Sequence, residues 1–137
     1  MVYGRTITIS TVGFSDIINV SDQVQSAVSA SGIQDGLAAV TVIGSTASVT
    51  TIEYEPALVE DIKELFEKII PRTIRSRHSE TWGDDNGFSH MRASLMGPGV
   101  TLPVVDGRVL LGTWQQIVVV DHDNRTRNRD VRIQLTG

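Results

Sequence analysis

Ile117-Val118-Val119-Val120 sets four β-branched residues in a row, within a stretch from Thr113 to Asp121 that is apolar at both parities. β-branched residues favour strands, and a strand shows successive side chains to opposite faces. A run that is apolar at both parities therefore needs cover above and below. No sheet with one face in water satisfies that. The stretch predicts a central strand inside a layered domain, and it is far too short to span a bilayer.

The remaining segments supply the layers. Thr6–Thr11 alternates polar and apolar residues, Gly13 breaks it, and Ile17–Val20 reads as a second short strand. Gly36–Ile43 and Ala47–Tyr54 read as strands joined by the tight turn Gly44-Ser45-Thr46. Val100–Val105, with Pro103 at a bulge or edge, turns at Asp106-Gly107 into a return strand over Arg108–Leu111. Asp123-Asn124 leads into a last strand, Arg127–Thr136. Ser21-Asp22 offers helix-capping chemistry, with Gln25 at capping-box spacing, ahead of a helix carrying Val24, Ala27 and Val28 and stopping at Gly32. Pro56 opens the clearest helix, with Leu58, Ile62, Leu65, Phe66 and Ile69 at helical spacing before Pro71. Arg72–Arg77 reads as extended, and Asn86–Leu95 as a third helix ending at Gly97-Pro98. Strands outnumber helices without strict alternation, which predicts an α+β fold. We expect one compact domain over residues 1–137, a mixed, mostly antiparallel sheet with about three helices; that length suffices for a single core.

A net charge of -4 and an aromatic content of 5% argue against a nucleic-acid footprint or a base-stacking platform. With no cysteine there are no disulfides, thiolate nucleophiles or Cys-type zinc sites. Nothing near Met1 resembles an apolar signal core, so the expectation is a cytoplasmic protein with no membrane and no nucleic-acid partner.

Candidate chemistry concentrates between His78 and Arg92, a window that also holds Glu80, Trp82, Asp84, Asp85, Asn86 and His90. Imidazoles with carboxylates suit a divalent ion such as zinc or manganese, and two histidines with one carboxylate leave a position open for substrate. The plainer alternative makes His78 a loop residue and His90 a helix residue satisfied by Asn86. Arg125, Arg127 and Arg129 share the parity of Val131, Ile133 and Leu135. They should turn inward, towards phosphate or carboxylate, unless they merely offset Asp121, Asp123 and Asp130. Ser45 and Thr46 are candidates for an anion-binding turn or a plain connection. Gln115 and Gln116, entering a buried strand, need partners or a ligand. Trp114 reads as packing, and His122 as a solvated strand end.

Asp85-Asn86-Gly87-(x)-Ser89-His90-(x)-Arg92-Ala93-Ser94-Leu95, Pro103-(x)-Val105-Asp106-Gly107-Arg108 and Leu111-Gly112-Thr113-Trp114-Gln115-Gln116 together resemble the YjbQ family. That family carries the label secondary thiamine-phosphate synthase. The resemblance implies a homotrimer with pockets near subunit boundaries. It also implies a transferase activity, described as secondary, that joins a pyrimidine pyrophosphate to a thiazole phosphate. Carried onto this chain it gives His78, His90, Asp85 and Glu53 as catalytic candidates, with His78 and His90 also as metal ligands. Ser45, Thr46, Asn86, Arg92, Gln116, Arg125 and Arg127 become the candidates for holding a phosphorylated small molecule. The chain departs from the family where histidine is expected at Gly44, Gly83 and Phe88, leaving only His78 and His90 of that set. Asp84, Asp85 and Glu53 would then shift preference towards magnesium or manganese.

Overall fold

A computed structural model describes all of residues 1–137. Its strands form two antiparallel sheets. The larger takes β1 (Val2–Thr11), β8 (Arg127–Thr136), β3 (Gly36–Val42), β5 (Gly99–Val105) and β6 (Arg108–Val109) in that spatial order. The smaller places β7 (Gln115–Asp121) between β2 (Asp16–Asn19) and β4 (Ala47–Glu53). All pairings are antiparallel, so the expected sheet is resolved into two.

β7 obeys its parity. Ile117 and Val119 enter the main core, with Val40, Val131, Ile133 and Leu135 of the larger sheet and Val24, Ala27 and Val28 of α1 (Ser21–Ser31). Val118 and Val120 face the other way, onto Ile17 and Phe66. Phe66 belongs to α2 (Pro56–Ile69), which covers that side with Val59 and Ile62. Burying a valine fully stabilises by roughly 1.5–3 kcal/mol, so the run is a strong determinant of both layers.

Two short helices follow α2. α3 (Arg77–Trp82) buries none of its residues. It exists because Ser76 caps it, its hydroxyl accepting from Ser79 N at 3.2 Å, and because Gly83, with φ 70°, ends it. His78 therefore lies inside a helix and is not delivered by an extended segment. α4 (Gly87–Met96) packs on β4 and touches α3, where a side chain at Gly87 would run into Ser76.

Several local expectations are revised. The capping box of Asp22 and Gln25 does not form: Ser21 Oγ accepts from Ile117 N, and Gln25 bonds Gly107 O and Val109 N. The return strand is only Arg108–Val109. Trp114 is 72% exposed on the single chain instead of packed.

Candidate functional site

Asp121, His122 and Asp123 end the central strand, and all three are fully buried. This corrects the reading of His122 as a solvated strand end. A strand covered on both faces carries its next residues into the same enclosure, a signal already present in the parity of Ile117–Val120.

The three are satisfied from every side. Asp121 accepts from Arg129 Nε at 2.7 Å, from Arg129 Nη2 at 2.9 Å and from the Thr11 hydroxyl. Burial pushes its carboxyl up, but the bonds from Arg129, Thr11 and the Asp123 amide together hold it below the ordinary value. Asp123 accepts from Thr46 Oγ1 and Arg127 Nε, both at 2.9 Å, and from Arg127 Nη2 at 2.7 Å. His122 Nδ1 and Nε2 each lie 2.9 Å from a hydroxyl, of Ser15 and Ser48. Burial, and then the charge of Arg92, push its imidazole down to about 4, so it is neutral at ordinary pH.

Gly13, Phe14 and Ser15 hold this assembly from one side with successive φ values of 82°, 54° and 62°. Two consecutive non-glycine residues in the left-handed region are costly, and the surroundings fix them. Phe14 N donates to Asp123 O at 2.7 Å, while Ser15 Oγ accepts from Arg92 Nη1 at 3.1 Å. A side chain at Gly13 would meet the Asp123 carbonyl.

On the other side of α4 lies an unsatisfied set. The His78 and His90 rings are 4.4 Å apart between centroids and tilted by 46°. His78 Nδ1 is 3.4 Å from Asp84 Oδ1, yet the atom is buried with no hydrogen bond. Burial, followed by the charge of His78, holds His90 below the usual imidazole range against the opposing pull of Asp123 and Asp84. The Asn86 amide lies between two carboxylates. It donates to Asp123 Oδ1 at 3.3 Å or, turned over, to both Asp84 oxygens at 3.0 and 3.1 Å. Residues 90, 93 and 94 share a face of α4, and Ala93 and Ser94 line a cavity of about 210 Å³ with Gly44, Ser45, Ala47 and Pro98.

The structure thus brings His78, His90 and Asn86 together at the start of α4, with Thr46 and Arg127 joined to Asn86 through Asp123, while Ser45 lies by the later turns of α4 beside Ala93 and Ser94. Thr46 is committed to Asp123 and Arg129. Arg127 keeps one guanidinium nitrogen, Nη1, without a hydrogen bond. Asp85 and Arg125 are exposed nearby in sequence, with Asp85 at φ 56°. Arg92 is not part of the gathering. It is 1% exposed on another face of α4, donating to Ile70 O, Glu67 Oε1 and Ser15 Oγ. Glu53 and Gln116 lie at the far end of the small sheet, six strand residues from Ala47, roughly 20 Å away. Gln115 and Gln116 find partners there in Thr51 and Asn19. Asp84 was the carboxylate to single out beside His78, and only the αL turn at Gly83 reveals that it doubles back. No group of three or more His, Asp or Glu forms a ready-made metal cage, so any ion would rely on the two imidazoles and on ligands brought to it.

The family pattern described as UPF0047 protein YjbQ-like matches residues 5–137. A UPF0047 protein of Methanothermobacter thermautotrophicus is 32% identical over 136 residues, 99% of this chain and 93% of the relative. One from Archaeoglobus fulgidus is 36% identical over 122 residues, 88% and 93% of the two chains. The crystal structure of a YbjQ-like protein of unknown function from Sulfolobus solfataricus superposes with a TM-score of 0.93 at 31% identity, covering 100% of this chain and 98% of that one. A hypothetical protein of Aeropyrum pernix gives 0.91 at 32% identity, with 98% of each chain covered. No helix of this chain is long and apolar enough to cross a membrane.

Proposed function

The chain belongs to the UPF0047 YjbQ-like family, and from that premise we propose that its His78–His90 site binds phosphorylated heterocycles as a transferase of the secondary thiamine-phosphate synthase type. A pyrimidine pyrophosphate would be joined to a thiazole phosphate, with pyrophosphate leaving. The observation that carries this reading is the buried, unpartnered His78 Nδ1 beside the His90 ring. Buried polar atoms are ordinarily bonded, so an orphan beside a second imidazole marks a place for a ligand.

His90, kept below the usual imidazole range, retains a free lone pair at neutral pH for a proton or an ion. His78 and His90 would be the two protein ligands of a divalent ion (magnesium, manganese or zinc) that takes its other ligands from substrate and water. Such an ion, when bound, would stabilise the charge on departing pyrophosphate. Arg127 Nη1 and exposed Arg125 would supply positive charge for phosphate, and the Ser45 hydroxyl, beside Ala93 and Ser94 of α4, is a further candidate. Asp85 stands in the exposed loop before Asn86 as a candidate base. Glu53 and Gln116 lie too far along the small sheet to join this site within one chain, and in a homotrimer with pockets at its boundaries they would reach it only from another subunit.

The test combines purified protein, both precursors and Mg²⁺. Product that disappears in His90→Ala supports the reading; no product from the unaltered protein, or undiminished product from His90→Ala, overturns it. A second reading, a phosphate- or metal-binding trimer without efficient turnover, is favoured by the commitment of Arg92, Arg129 and Thr46 to internal partners. It predicts that phosphates raise the melting temperature while no product forms.

A further inference from the structure

We propose that Trp82 is the wall of the His78–His90 site on which the planar ring of the phosphorylated ligand stacks, an inference that rests on the reading of that site given above. Trp82 is the last residue of α3 and is 73% exposed. An indole offers roughly 150–250 Å² of surface for burial, so leaving it in water forgoes a large contribution unless something covers it. Packing within the chain does not explain it, because α3 buries nothing.

Its placement does. His78 and Trp82 are four apart on α3, on the same side and about 6 Å along the axis. Immediately beyond, Gly83 in the left-handed region donates its N–H to Ser79 O at 2.7 Å and reverses the chain. That reversal brings Asp84 back to 3.4 Å from His78 Nδ1. The indole therefore stands one turn along α3 from the imidazole that pairs with His90 and lies beside the Asp84 carboxylate. The helix is itself tied down near its start and middle. Ser76 caps it, and Ser79 Oγ accepts from Gly87 N at 3.1 Å, tying it to α4.

The surrounding charge narrows the ligand. Glu80, Asp84 and Asp85 flank Trp82 in sequence and are exposed, and the indole face is itself electron-rich. A positively charged or electron-poor heterocycle is what such a wall holds best. The phosphate of the same molecule would point towards Arg127. Trp114, equally exposed, precedes β7 at the end remote from Asp121 and His122 and shares none of this geometry.

The test titrates the protein with thiamine phosphate, which carries a cationic ring and a phosphate, and with pyrophosphate, which has no ring, both in the presence of Mg²⁺. Calorimetry gives the affinities and tryptophan fluorescence reports the indole. Thiamine phosphate should quench fluorescence, and the change should vanish in Trp82→Ala. That variant should bind thiamine phosphate roughly 5- to 100-fold more weakly, the range of one base–aromatic stack, and pyrophosphate within about twofold of the unaltered protein. Trp82→Phe should recover part of the loss. Equal weakening of both ligands, or of neither, overturns the stack while leaving the phosphate site standing. A lower molar mass in solution for Trp82→Ala would make the indole a subunit contact and also overturn it. If the unaltered protein binds neither ligand, the phosphate reading itself fails and the stack falls with it.

Discussion

His122 and His78 lie on opposite sides of α4 and are held in opposite ways. Both His122 nitrogens have a hydroxyl at 2.9 Å, and its ring meets the Phe66 ring edge-on at 5.0 Å. His78 keeps one nitrogen buried and unbonded, and rests on a second imidazole. Around His122 every charge is matched, with Asp121 and Asp123 facing Arg129 and Arg127. Around His78 the Asn86 amide can serve Asp84 or Asp123 through its nitrogen but leaves its oxygen facing the other. A saturated network rigidifies, whereas an unsaturated one has capacity left for a ligand. Residue type alone does not separate the two; the count of partners does.

That contrast breaks most readily at Asp121. Asp121→Ala strips Arg129 of its two-pronged partner inside the protein and should cost about 3–5 kcal/mol of unfolding free energy in a urea titration. A cost below about 1 kcal/mol would remove the network's structural role.

Acid probes the same region. The His122 pKa, lowered from 6.5 to about 4, means that the unfolded chain binds the extra proton between those values. The stabilisation is fully present above about pH 6.5 and falls by about 3 kcal/mol as the pH drops towards 4, at ~1.4 kcal/mol per unit. His122→Gln should flatten that slope when stability is followed against pH. The lowered carboxyls of Asp121 and Asp123 add their losses only as the pH falls below their ordinary value of 3.8. A slope unchanged by the substitution would assign the acid sensitivity elsewhere.

Gly87→Ala tests the junction of α3 and α4. The added methyl meets Ser76, the residue capping α3, and should destabilise by about 1–3 kcal/mol while separating His78 from His90. Chemical shifts of the two imidazoles would report the separation. The smallest stability effect belongs to the open side. His78→Ala should stay within about 0.5 kcal/mol of the unaltered protein yet abolish stabilisation by Mg²⁺ and pyrophosphate. A large stability loss there would erase the distinction between the two regions.

The frame is legible in the sequence because burial writes itself into periodicity: the double parity of β7 demanded two layers, and Pro56 to Pro71 delimited α2. The inward parity of Arg127 and Arg129 was equally readable, but parity names a face and not a neighbour. That they clasp Asp121 and Asp123 depends on β8 crossing beside the end of β7. α3 was invisible because a helix that buries nothing has no apolar period; its evidence is a serine cap and a left-handed glycine. Arg92 looked like a phosphate ligand because spacing along α4 does not reveal which face Glu67 and Ile70 occupy.

α4 is secured through Ser89 and Arg92, 0% and 1% exposed, while half-buried His90 and exposed Ser94 lie on a different face. Anchor and display thus use different positions on one helix. What is displayed can be exchanged, one imidazole for a carboxylate or an amide, without loosening the mount. A chain of this kind is free to change its chemistry faster than its shape.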